Sequence, residues 1–174
     1  MPSLQQAATA LGWRGQLITE VAVLGQRVSA LVRVREDVHR WRMENGWPPE
    51  PDPSWFRSWF EPELHDQIPV PAVDLVGVLV TESRAGRALR SCGTLMTLAP
   101  CAVVLPSSQT SDPWPLVELD FYGIGVVTID EEGDASVAIS PEDRSQEFGG
   151  SVFGRWLLEL LYHRVMTSVL SPPR

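Results

Sequence analysis

Between Gln16 and Asn45 the chain runs without proline, and Leu17, Val21, Leu24, Val28 and Leu31 recur at alternating steps of four and three. Val38 returns to the same register, so the spacing predicts a long amino-terminal helix with a coiled-coil-like apolar seam. Asn45-Gly46 supplies its stop, with Pro48 close behind. A competing pattern lies inside the same stretch. Val28, Ala30, Val32 and Val34 alternate with Ser29, Arg33 and Arg35, and Gly25-Gln26 would turn one strand into the next. The longer seam favours helix, while 17–34 stays open between helix and hairpin.

Beyond residue 72 the period shortens to that of strands. Val73–Val80 is an apolar run interrupted by Asp74 and Gly77, and Thr94–Leu98 and Cys101–Leu105 read as short strands around Pro100. Ser83–Cys92 is a short helix or a loop, and Ser107–Pro115 a polar turn region. From Leu116 to Asp130 the alternation puts Val117, Leu119, Phe121, Val127 and Ile129 on one face, and a turn at Gly133 leads into a strand over Ala135–Ile139. Ser151 is a helix cap, and Val152–Leu170 is apolar around most of its circumference, so it needs cover on more than one side. The fold class these elements predict is α+β. A mainly antiparallel sheet over about residues 73–140 is packed by the long amino-terminal helix and the apolar carboxy-terminal one.

The segment 47–72 departs from both periods. It holds seven prolines, Pro48, Pro49, Pro51, Pro53, Pro62, Pro69 and Pro71, and within it Trp55, Phe56, Trp59 and Phe60 fall close together. Asp52-Pro53 reads as an N-cap and first helical residue, which predicts a short helix over Pro53–Phe60 ended by Pro62. Its four rings would bury about 150–250 Å² each. Left in water they would form a patch larger than a monomer usually tolerates.

Composition narrows the function classes. The 174 residues predict one domain, with the aromatic segment as part of it, and the net charge of −8 disfavours nucleic acid and anionic membrane surfaces. Met1–Trp13 has neither the basic start nor the apolar core of a secretory leader, and Cys92 and Cys101 do not make a disulfide framework. A reduced, cytoplasmic protein is expected.

Candidate chemistry is sparse. Glu61, Glu63, His65 and Asp66 are metal-capable, but Pro62 breaks the scaffold a zinc site needs. Asp130–Asp134 lacks the order of a calcium loop, and a charged hairpin turn explains it. No nucleophile elbow, papain-like cysteine or nucleotide-binding glycine pattern occurs, and His39, His65 and His163 are isolated along the chain. Gly149-Gly150-Ser151 is read as a turn into a cap. Arg84, Arg87 and Arg90 would share a helix face that can grip an anion, although a surface helix carries such residues without a ligand. No catalytic, cofactor or metal residue is therefore assigned.

The expectation is a non-catalytic protein that works by protein–protein contact or self-association, as a small subunit, adaptor, chaperone or immunity-type protein. Its partner-binding residues would be Trp55, Phe56, Trp59, Phe60, Trp156 and Leu160, since large rings dominate binding energy. The competing expectation is a small-molecule site or enzyme pocket between the aromatic segment and the sheet, with Arg84, Arg87, His65 or Asp120 as polar contacts.

Overall fold

The computed structural model describes residues 4–55, 61, 63, 68–93, 95–110, 112–145 and 151–170. The architecture is α+β, a six-stranded mixed sheet with five α-helices among the described residues. Strand order in the sheet follows chain order, β1 (Gln16–Val23), β2 (Gln26–Val34), β3 (Val73–Thr81), β4 (Cys101–Pro106), β5 (Gly125–Ile129) and β6 (Ala135–Ile139). The helices are α1 (Leu4–Ala10), α2 (Glu36–Glu44), α3 (Ala85–Cys92), α4 (Pro113–Phe121) and α5 (Val152–Leu170). The contacts group into two units, Met1–Leu31 with Leu75–Gly149 and Val32–Asp74 with Gly150–Arg174.

The expected long amino-terminal helix is not formed. α1 spans only Leu4–Ala10, and Gln16–Val34 is a β-hairpin followed by α2. Leu24 and Gly25 both have positive φ, 49° and 79°, which is the backbone a tight two-residue hairpin turn demands. Glu20, at φ 56°, marks a bulge in β1, where Thr19 and Glu20 are both exposed between buried Ile18 and Val21. That extra residue stretches one step of the two-residue period to three. Ala30, Leu31 and Val32 of β2 are buried in succession, as in a strand covered on both faces. Together these features imitate the four-and-three seam of a helix. The stop at Asn45-Gly46 is where it was expected, with Gly46 at φ 72°.

The sheet is mixed rather than mainly antiparallel. β3, β4 and β5 run parallel, with Val103 opposite Val80 on one side and Val126 on the other; β6 returns antiparallel to β5. Parallel neighbours need a crossover, and α3 and α4 supply the two. They pack on β4, on β5 and on each other. The fully buried β4 residues Cys101, Val103 and Leu105 alternate with Ala102 and Val104, which join Ala7 and Ala8 of α1, Leu31, Leu79, Val127 and Ile129 in one core cluster. Gly77 in β3 lets the indole of Trp13 lie against the strand, since a methyl group there would overlap the ring.

A second correction concerns 116–121, where strand alternation was expected, and 113–115, read as the end of a polar turn; both lie in α4. Asp112 caps it by accepting the Trp114 N–H at 3.1 Å, and Pro113 stands at its start, where a missing N–H costs nothing. Gly123, at φ 72°, ends it: the Ile124 N–H donates to the Leu119 carbonyl and the Gly123 N–H to Asp120, the paired bonds of a glycine-terminated helix. Residues 95–98 form turns, not a strand. Ser151 caps α5 as expected, accepting the Gly154 N–H at 2.9 Å.

Candidate functional site

Two constellations stand out, one in each unit. In the second unit, Arg42 of α2 and Glu159 of α5 form an ion pair at 2.7 Å, with side chains only 1% and 2% exposed. Arg42 also donates to the carbonyls of Trp47 and Pro48, and Glu159 accepts the Glu50 N–H at 3.1 Å. Arg155, one turn before Glu159, pairs with the same carboxylate at 2.6 Å and donates to the Pro69 carbonyl. The Trp156 indole N–H reaches the Pro51 carbonyl at 2.8 Å. Prolines remove backbone donors and leave carbonyls to be satisfied; two arginines and one indole satisfy four of them here. The Arg42 guanidinium lies 4.9 Å from the centroid of the Tyr162 ring, whose hydroxyl is 2.7 Å from His39 Nδ1.

The protonation states follow. Burial alone pushes the Glu159 carboxyl up, but the Arg42 hydrogen bonds, the Arg155 charge and the Glu50 N–H outweigh it and hold the group below its ordinary value. Burial lowers Arg155, and burial raises Tyr162. One carboxylate answers two guanidinium groups. No buried side-chain nitrogen or oxygen among the described residues is without a partner. A set so fully engaged holds the proline-rich backbone to α5.

The first unit shows the opposite arrangement. Along α4, Trp114 is 72% exposed, Val117 57% and Phe121 75%. Steps of three and four put the three on one helical face. Leu119, on the opposite side, is buried against the fold. Tyr122 extends the face, its ring edge-on to Phe121 with centroids 5.2 Å apart. Glu118 and Asp120 are exposed on α4.

Of the residues expected to bind a partner, Phe56, Trp59 and Phe60 lie outside the described residues, as do His65 and Asp66 of the metal-capable set. Trp55 ends a short 3₁₀ turn, Pro53–Trp55, in which Asp52 accepts the Ser54 N–H at 2.8 Å. Trp156 and Leu160 are both half-buried on α5, none of whose described apolar residues is exposed. Glu61 and Glu63 are exposed, and no cluster of three metal-capable side chains occurs among the described residues. Arg87 and Arg90 are exposed on α3, and Arg84, also exposed, precedes the helix in extended conformation rather than sharing its face. No helix among the described residues is long and apolar enough to cross a membrane. The face on α4 was missed, although its signals were present: Asp112-Pro113 has the form that was read as a helix start at Asp52-Pro53. No protein-family model, curated protein or solved structure matches the chain.

Proposed function

We propose that the chain acts without catalysis, by protein–protein contact, as a subunit or adaptor that docks a partner on the exposed face of α4. The observation that carries this reading is the exposure of Trp114 and Phe121, each with about three quarters of its surface in water on the same side of one short helix. Isolated apolar residues on a surface need no explanation, but rings aligned with Val117 form a contiguous ridge, and aromatic ridges are where interface energy concentrates. The rings cost the folded chain exposed apolar surface and give its core nothing, which is the pattern of a face completed by another molecule. The reading includes a reducing, cytoplasmic setting, in keeping with the buried and unbridged Cys92 and Cys101.

The test is a bait comparison. A partner retained by the wild-type chain is expected to be lost by Trp114→Ala/Phe121→Ala while thermal unfolding is unchanged, because neither ring packs in the core. Retention of the same partner by the double variant would defeat the reading.

A further inference from the structure

Resting on that docking reading, we propose that the occupant of the α4 face is a cationic amphipathic segment of another protein, an apolar ridge bordered by Arg or Lys. Three observations bear on its chemistry. The first is placement. At about 100° per residue, Trp114, Val117 and Phe121 form the crest of α4, Glu118 falls beside it on one flank and Asp120 on the other. An acid on each side of an apolar ridge is the complement of a segment whose own ridge is edged with cations.

The second is the helix dipole. The carbonyl end of a helix is its negative end, where acids are unfavourable and cations favourable. α4 has no acid in its first turn and no base in its last, and its two acids sit toward the carbonyl end, Asp120 next to the last residue. Local helix energetics would put them elsewhere. Partner cations, one beside Glu118 and one beside Asp120, would answer the two side chains and the negative end of the helix dipole.

The third is the surrounding field. From Ser91 to Asp143 there is no arginine, lysine or histidine, while nine acids occur: Asp112, Glu118, Asp120, Asp130, Glu131, Glu132, Asp134, Glu142 and Asp143. Arg144, just beyond, pairs with Glu142 at 2.6 Å beside Gly123 and answers that one acid. Arg87 and Arg90 on neighbouring α3, and Arg84 just before it, are exposed, so the acidity that matters belongs to α4 and its own flanks rather than to the unit as a whole. Phosphate backbones and anionic lipids are repelled by such a ridge. Among the described residues, α2 is another short surface helix with exposed large apolar residues, and it carries Trp41 and Met43 beside Glu36, Asp37 and Glu44 as well as Arg40. A second copy therefore presents no matching cationic ridge there.

The experiment uses the full chain and a labelled helical peptide of leucine and lysine, with a leucine and glutamate peptide of the same pattern as control, read by fluorescence anisotropy at low and physiological salt. The cationic peptide is expected to bind and the anionic one not. Glu118→Gln/Asp120→Asn should weaken binding about fivefold or more, and Trp114→Ala/Phe121→Ala about tenfold or more. Arg84→Gln/Arg87→Gln/Arg90→Gln should not weaken it. Should the ring variant melt lower than wild type, Phe121→Ser alone replaces it. If the charge variant binds as wild type while the ring variant fails, the ridge docks a partner but cations do not select it, and this inference falls while the docking reading stands. If all variants bind alike, the peptide sits elsewhere and both fall. No binding of the cationic peptide overturns the inference. So does sedimentation that shows a dimer abolished by the ring variant, which would make the occupant a second copy.

Discussion

Arg42 and Glu159 lie in the interior of one unit, bound to each other and to the backbone around them, whereas Trp114 and Phe121 stand on the outside of the other with most of their rings in water. Each arrangement inverts the usual rule, with charge inside and rings outside. The buried charges are fully accounted for by their neighbours: the proline-rich backbone needs donors, and the guanidinium groups provide them. The exposed rings have no such account among the described residues. A violation that the fold explains belongs to stability, and one that it leaves unexplained points outward, to function.

The largest effect expected from breaking the comparison is in the second unit. Glu159→Ala leaves the Arg42 and Arg155 guanidinium groups without their shared carboxylate and should cost about 3–5 kcal/mol in urea unfolding, whereas Arg42→Ala leaves Glu159 paired with Arg155 and should cost less. Arg42→Met/Arg155→Met/Glu159→Leu, which removes all three charges, should recover much of that loss. A cost under about 1 kcal/mol for Glu159→Ala would mean that water reaches the cluster. Acid tests the same cluster. Glu159 holds its proton more weakly in the folded chain than in the unfolded one, so its contribution is complete above the unfolded value, about pH 4.3, and is lost as pH falls through the lower folded value. Glu159→Gln should flatten that part of the stability profile.

Next in size is Gly77→Ala, which drives a methyl group into the Trp13 ring and should destabilise by about 1–3 kcal/mol, partly relieved when Trp13→Leu is added. Gly123→Ala forces the left-handed end of α4 on a residue with a Cβ and brings it to 2.8 Å from the Glu142 carboxylate, for a loss of about 1 kcal/mol in thermal unfolding.

The smallest effects sharpen the contrast most. Trp114→Ala/Phe121→Ala should leave stability within about 0.5 kcal/mol of wild type. Glu118→Gln/Asp120→Asn should raise it, by about 0.3–1 kcal/mol at low salt and less at high salt, because acids leave the negative end of a helix. A variant that gains stability and loses a partner would separate the two roles cleanly; a loss of stability would show that the acids serve the fold.

The elements that sequence patterning captured are those whose residues obey one rule at a time. α5 is legible because Ser151 caps it and its apolar run is long, and β3 and β4 because their runs are buried on both faces. β1 and β2 were obscured by the bulge at Glu20 and by the consecutive burial of Ala30, Leu31 and Val32, which together blur the two-residue period. α4 was obscured for a different reason. Leu119 faces the core while Val117 and Phe121 face water, so its apolar residues lie on opposite sides and alternate like those of a strand. The residues that misled the pattern are those of the proposed site, as expected where function overrides the inside–outside rule. Conversely, the buried Arg42–Glu159 pair had no local signal, because its partners stand 117 positions apart.

That separation has a kinetic consequence. His39, Arg42, Glu50 and Pro51 all find their hydrogen-bond partners on α5, more than a hundred residues later in the chain. During synthesis the proline-rich stretch must wait, its guanidinium and carbonyls still hydrated, until the last helix has been made, whereas α1, the hairpin and the parallel strands have most of their core in hand before then. The second unit is thus the last to close, and a ribosome stalled ahead of α5 would leave it open.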